Sequence, residues 1–324
     1  MHTLPRNIYE QQSINRRKTV LVMVLFALLF GFLGFGFDVF LLGFGQGGMA
    51  LPIGTCVALT AGTASSIWSL HSGATAVLSS ACARPVPQDA PRYQQLRNVV
   101  DEMSIASGLP RPQLYVIPDP DPNAFATGKD PGHAAIAVTD GLIDRLSRDE
   151  LQAVIAHEMS HVRNYDIRLM TVVAALIGAI ALLSEFGLRT LRYGGGAGRR
   201  TGSGKREGLG GPLLLGIWLL AMALAPFVSQ LLALAVSRQR EYLADTSGAE
   251  LTRNPAALAF ALEKIDAATD PTRLIKKGTG HLCVADPLGR PANEREGFFA
   301  ELFSTHPPIA KRIQLLRSMA YQHS

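Results

Sequence analysis

The stretch His157-Glu158-Met159-Ser160-His161 sets two imidazoles four residues apart, with a carboxylate beside the first. Positions four apart lie one above the other on an α-helix, so both rings can reach a single ion. Glu158 faces the same cleft without being needed as a ligand, and its natural work is to take a proton from water. Hydrolytic zinc sites use three protein ligands and an open position, where the metal acidifies water and polarises a carbonyl. Glu241 and Asp245, four apart in Glu241-Tyr242-Leu243-Ala244-Asp245, supply what is missing. Glu241 completes a His2Glu set for one Zn2+ per chain, and Asp245 accepts the other ring N–H of a histidine ligand, His157 first, fixing its tautomer. Each feature has a plainer reading, because five-residue patterns arise by chance and two helical carboxylates are usually solvated. Their conjunction favours zinc, although another divalent ion would accept the same donors.

These residues need a rigid carrier. Ser147-Arg148-Asp149-Glu150 forms a capping box, which starts a helix near Arg148 that should run through Asn164. Upstream, Leu96, Val100 and Met103 recur at helical spacing, and Leu114 to Ile117 is a short apolar run closed by Pro118. Ala134 to Thr139 reads as a strand turned at Asp140-Gly141. A mostly helical unit with a small sheet is expected.

Composition points to lipid as a second solvent. Apolar residues make up 48% of the 324 and charged residues only 18%, below the roughly 25% usual for soluble domains. Three cysteines in two separated regions indicate no disulfide framework, and a reducing compartment fits. The net charge of +5 is spread around apolar segments rather than gathered in one run, which fits anionic lipid and not nucleic acid. An unbroken apolar run from Val20 to Phe37 follows Arg16-Arg17-Lys18, and a weaker one from about Met49 to Ala83 ends at Arg84-Pro85. The first is too long for the apolar core of a cleaved signal peptide. The positive-inside rule then places the tail and everything after Arg84 in the cytoplasm. Leu169 to Leu183 and Leu213 to Val236 look like a helical hairpin inserted in the membrane. Its Gly-rich connection carries Arg189, Arg192, Arg199, Arg200, Lys205 and Arg206 against Glu207, a charge pattern that opposes two full spans, so partial insertion stays open.

With these residues in view, the chain resembles the HtpX-type membrane zinc endopeptidases and, more distantly, the CAAX prenyl endopeptidases that share a gluzincin core. The resemblance is carried by Asn123 to Gly128, Ile136 to Leu142, His157 to His161 with Asn164 and Asp166, Arg240 to Asp245, and Ser304 to Pro308 with Arg312. It implies that Asn123, Ala124 and Phe125 form an edge strand to which an extended substrate pairs; a plain edge strand is the alternative. It also implies that His306 stabilises the oxyanion, where a turn residue before Pro307-Pro308 is the alternative, and that Arg312 supports the cleft wall. Thr269 to Arg295 is expected as a surface loop over the cleft mouth.

The expected molecule is mainly α, a multi-pass membrane protein of the bacterial inner membrane with a gluzincin-type metalloprotease domain. Residues 1-84 hold the tail and two spans, 85-168 the first part of the catalytic domain, 169-236 the membrane hairpin and 237-324 the second part. The expected activity is cytoplasmic hydrolysis of misfolded or damaged membrane proteins. The rivals are a catalytically silent scaffold, a prenyl-protein-type peptidase with more spans, and a transporter, which the lack of charged residues within the apolar segments disfavours.

Overall fold

The structure is a computed structural model, and it describes residues 8–40, 51–177, 238–268, 272–275, 280–285 and 307–322. Of the expected hairpin only residues 169–177 are described, and they are helical; the rest of it, its basic loop and His306 lie outside the described residues. Two helices open the chain, α1 (Ile8–Phe40) and α2 (Ile53–Ser80). Ile8 to Lys18, expected as a polar tail, instead continue the first helix, held by the side chains of Gln12 and Asn15. By length and composition Glu10–Val39 and Ile53–Ser80 can each cross a bilayer. Their outward faces expose Leu21, Leu28, Phe32, Phe35, Val57 and Trp68, an apolar surface suited to lipid.

The chain divides into two compact units. One comprises Met1–Thr19, Leu70–Ala175 and Leu232–Ser324; the other comprises Val20–Ser69 and Leu176–Leu231. Within the second unit α1 and α2 approach closely because their facing positions are small. A Cβ on Gly34 would stand 2.6 Å from the Ala58 Cβ and 2.6 Å from the Gly54 carbonyl, so only glycine fits there. Asp38 accepts from the Gly54 and Thr55 N–H groups, satisfying donors at the start of α2.

The first unit carries a four-stranded sheet in the order β1-β2-β4-β3, built from β1 (Arg84–Pro85), β2 (Gln113–Ile117), β3 (Ala124–Gly128) and β4 (Ala134–Thr139). β2 and β4 are parallel, and the other pairs are antiparallel. Helix α3 (Gln94–Ser107) buries the expected stripe of Leu96, Val100 and Met103, with Val99 beside it, and ends on Gly108 in the left-handed region at φ 67°. Asp140-Gly141 is not a simple turn: Thr139 caps a short helix, α4 (Asp140–Arg145), by accepting from the Leu142 N–H. Next comes α5 (Arg148–Arg163), whose Ser147 and Glu150 form both halves of the expected capping box. Among the described residues the unit also holds two later helices, α6 (Arg238–Thr252) and α7 (Pro255–Asp266), and the C-terminal α8 (Ile309–Gln322). Leu151, Val154, Ile155, Met159, Leu258, Leu262 and Leu316 join Ile136 and Val138 in one core. Each fully buried side chain of this size contributes about 1.5–3 kcal/mol relative to exposure, so α5 is fixed on three sides before any ligand binds.

Candidate metal centre

Helix α5 presents His157, Glu158 and His161 to the interior, at 0%, 1% and 3% exposure. The imidazole rings stand edge to face with centroids 4.9 Å apart. Helix α6 supplies Glu241, whose carboxylate lies 3.6 Å from His157 Nε2 and 3.6 Å from His161 Nε2. One donor atom from each of the three falls within 4.8 Å of the others. Bonds of about 2.0–2.1 Å at tetrahedral angles put donors roughly 3.3 Å apart, so the set fits a metal ion with small adjustments. His157 Nε2 and both Glu158 oxygens are buried without a hydrogen bond among the described residues, which is how atoms facing an ion and its reactants should stand. The Ala126 backbone N–H approaches Glu158 without completing a hydrogen bond.

Close contact between the two helices depends on Gly248, two turns beyond Glu241 on α6. A Cβ there would come within 3.0 Å of the His157 backbone nitrogen and 3.1 Å of its Cα. The glycine therefore lets α6 lie directly on the backbone that carries the first histidine.

A ring of charged groups orients the donors. His157 Nδ1 is 3.0 Å from Asp245 Oδ1, the partner expected from sequence. His161 Nδ1 is 3.1 Å from Asp166 Oδ2, a partner the sequence reading did not assign. The carboxylate beside each Nδ1, in hydrogen-bond contact only at His161, favours the tautomer with the proton on Nδ1, which turns each Nε2 lone pair toward Glu241. Arg312, on α8, is 1% exposed and grips Asp245 through two bonds, Nε to Oδ2 at 2.8 Å and Nη2 to Oδ1 at 2.7 Å. Its third nitrogen donates to the Val284 carbonyl and lies 3.4 Å from Glu241 Oε2. Arg312 is thus the anchor of Asp245, a tighter role than the cleft-wall support implied by resemblance.

Burial alone would lower the His157 pKa, but the facing carboxylates of Asp245 and Glu241 outweigh it and carry the metal-free imidazole up to about 9. Burial raises the Glu158 carboxyl, with the two histidines pulling it down and Glu241 pushing it up. A carboxyl moved toward neutrality is a better proton acceptor and donor near pH 7. Asp245 is raised by burial and lowered further by Arg312 and His157, so it stays ionised.

Asn123, Ala124 and Phe125 lie at the outer margin of the sheet, but that edge is engaged by the chain itself. The Val284 N–H donates to the Ala124 carbonyl at 2.9 Å, Phe125 and Cys283 form an antiparallel bridge, and Asn123 Nδ2 donates to the Ala285 carbonyl at 2.9 Å. Leu282, Cys283 and Val284 are buried, so this part of Thr269 to Arg295 is not the surface loop expected. His133 pairs with Asp130 on the surface, away from the donors.

The description of Peptidase family M48 matches residues 90–320. The Protease HtpX homolog of Caldanaerobacter subterraneus subsp. tengcongensis is 42% identical over 314 residues, covering 97% of this chain and 98% of its own. The Protease HtpX homolog of Tropheryma whipplei is 41% identical over 323 residues, with 97% and 99% covered. The crystal structure of S. mikatae Ste24p aligns with 95% of this chain and 67% of that one at 18% identity and a TM-score of 0.48. With a buried His-His-Glu donor set inside the matched region and about 40% identity to proteases over nearly the whole length, the chain belongs to peptidase family M48 and is a metalloprotease.

Proposed function

We propose that the chain is a zinc endopeptidase of the bacterial inner membrane, with His157, His161 and Glu241 holding the ion and Glu158 moving the protons. The observation that carries this reading is the convergence of three buried donors within 4.8 Å beside a buried carboxylate whose oxygens make no hydrogen bond among the described residues. Bound there, zinc supplies a Lewis acid that polarises the peptide carbonyl and makes water easier to deprotonate. Glu158 accepts the proton of the attacking water as its oxygen bonds to the carbonyl carbon. It returns that proton to the amide nitrogen as the C–N bond breaks. Asp245, held by Arg312, keeps the His157 proton on Nδ1, and Asp166 does the same for His161. Resemblance gives His306 the task of stabilising the oxyanion.

Substrate is proposed to pair as an extended strand along Asn123, Ala124 and Phe125. Since Val284 takes the Ala124 carbonyl, an incoming strand at that register displaces Cys283 to Ala285. The resemblance to HtpX-type endopeptidases supports misfolded or damaged membrane proteins as the substrates, in a response to envelope stress. Arg16, Arg17 and Lys18, near the start of the first candidate span, and Arg84, just after the second, support a cytoplasmic catalytic site by the positive-inside rule.

The test is zinc content and casein hydrolysis by the detergent-purified protein beside Glu158→Gln. One zinc per chain in both, with hydrolysis lower in the variant by about 10²- to 10⁴-fold, is the expected result. A wild type that binds no zinc and stays inert after zinc is restored would leave the silent scaffold as the better reading.

A further inference from the structure

We propose that Asn15, on the first membrane helix, is a positioning residue of the metal centre, acting on His161 through Asp166. The inference rests on the reading of His161 as a zinc ligand. Asn15 is fully buried, and its Nδ2 donates to the Asp166 Oδ1 at 2.6 Å and to the Asn164 carbonyl at 2.9 Å. Asp166, also fully buried, uses its other oxygen to hold His161 Nδ1 at 3.1 Å. A continuous relay therefore runs from the α1 amide to the imidazole, with Arg240 Nη1 at 3.6 Å from Asp166 Oδ1 as a second neighbour.

Two features argue that the amide is present for its donors. Both of its N–H groups meet acceptors, one a carboxylate and one a carbonyl, so an amide turned the other way would set its oxygen against two oxygens. Its own Oδ1 is buried with no hydrogen bond among the described residues, a cost that leucine in the same space would avoid. The Asn164 carbonyl, moreover, belongs to the break between α5 and the helical residues that begin at 166. At that break Tyr165 is left-handed at φ 59°, an uncommon state for a bulky residue, which surrounding contacts must hold. Asn15 bonds both sides of this break at once. It thereby fixes where the Asp166 carboxylate stands relative to the helix bearing His161.

Gln12 provides the control. It docks the same helix by donating to the Arg163 carbonyl at 2.9 Å but reaches no carboxylate of the site. Gln12→Ala should loosen docking and leave the metal geometry alone.

The experiment compares full-length wild type, Asn15→Leu, Gln12→Ala and His161→Ala in detergent. Zinc affinity is read by competition with a chromogenic chelator, and geometry by the visible absorption of the cobalt-substituted proteins. Asn15→Leu is expected to bind zinc about 10- to 100-fold more weakly, the range for losing an outer partner of a ligand, with an altered cobalt band. Gln12→Ala should match wild type on both. Wild-type affinity and an unchanged band in Asn15→Leu would overturn the proposal. If His161→Ala holds zinc as tightly as wild type, the ligand reading itself fails, a result distinct from an Asn15 failure with His161→Ala metal-free. Should Asn15→Leu not fold, Asn15→Ser, which keeps one donor, is expected to give an intermediate affinity. Loss of fold in both, with Gln12→Ala folded, would assign Asn15 to the fold alone and overturn the proposal.

Discussion

At the scale of single residues, the metal centre is as much an arrangement of protons as of donor atoms. The metal-free His157 imidazolium is favoured because Asp245 and Glu241 both face it, which holds its pKa near 9 against a usual value of about 6.5. A group whose folded pKa lies above its unfolded one stabilises the fold fully below the unfolded value and loses that contribution as pH rises through the folded one. Melting of chelator-treated protein should therefore fall as pH is raised from about 6.5 to 9. In the zinc-loaded protein that dependence should be absent, since a ligating imidazole is neutral at every pH in the window. A chelator-treated protein that melts higher at pH 9 than at pH 6.5 would contradict the assignment. Arg312 sets the other half of the balance, because removing it leaves the Asp245 charge buried without its two bonds. Arg312→Met should cost about 3–5 kcal/mol of stability, and Arg312→Lys, which keeps charge but not the fork, should recover only part of it in thermal melts. The donors were legible in the sequence because their spacing obeys the helical repeat. The part played by Asn15 was not, nor that of Asp166, although Asp166 stands in the motif that carries the resemblance, since their bonds join residues 149 to 151 positions apart or cross a break in helix periodicity.

At the scale of elements, the site is made by the contact of α5 with α6. The capping box at Ser147 marks the start of α5 in the sequence as plainly as in the structure, because capping is a local chemistry of four residues. What the sequence does not display is how near α6 lies, which follows from the absence of a side chain at Gly248. Gly248→Val should push α6 off the His157 backbone, draw Glu241 out of reach and cut zinc affinity by at least about 10-fold, measured by chelator competition. Retained affinity would mean that the two helices adjust without moving the donors. The segment Leu282 to Ala285 was misread for a related reason. Its pairing with β3 is too short to show a strand pattern, and the Gly, Pro and charged residues around it carry the signature of a loop. The short helix α4 was hidden by Asp140-Gly141, a pair equally at home in a turn and in the first turn of a capped helix.

At the scale of the whole molecule, the orientation proposed for the chain in the bilayer rests on where the ends of α1 and α2 are held. The start of α1 is tied by Gln12 and Asn15 to the turn after α5, with Arg16 stacked over Tyr165 at 4.4 Å. At the end of α2, Val77, Leu78 and Ala81 pack with Ile117 and Phe125. The start of the first helix and the end of the second thus both belong to the unit that carries the metal donors. Their basic residues, Arg16, Arg17, Lys18 and Arg84, lie on this side, which supports the proposed cytoplasmic placement by the positive-inside rule. Leu51, just before α2, lies at the opposite ends of the two helices and is 69% exposed. The native Cys82 is exposed at the metal-bearing end. In chains reduced to one cysteine each, Leu51→Cys should react with a membrane-impermeant maleimide in intact spheroplasts, and Cys82 only after lysis. The reverse pattern would put the protease outside and require its substrates to be extracytoplasmic. Labelling of both sites before lysis would mean that the two helices do not cross the bilayer as a pair, and α1 would then owe its apolar face to some cover other than lipid.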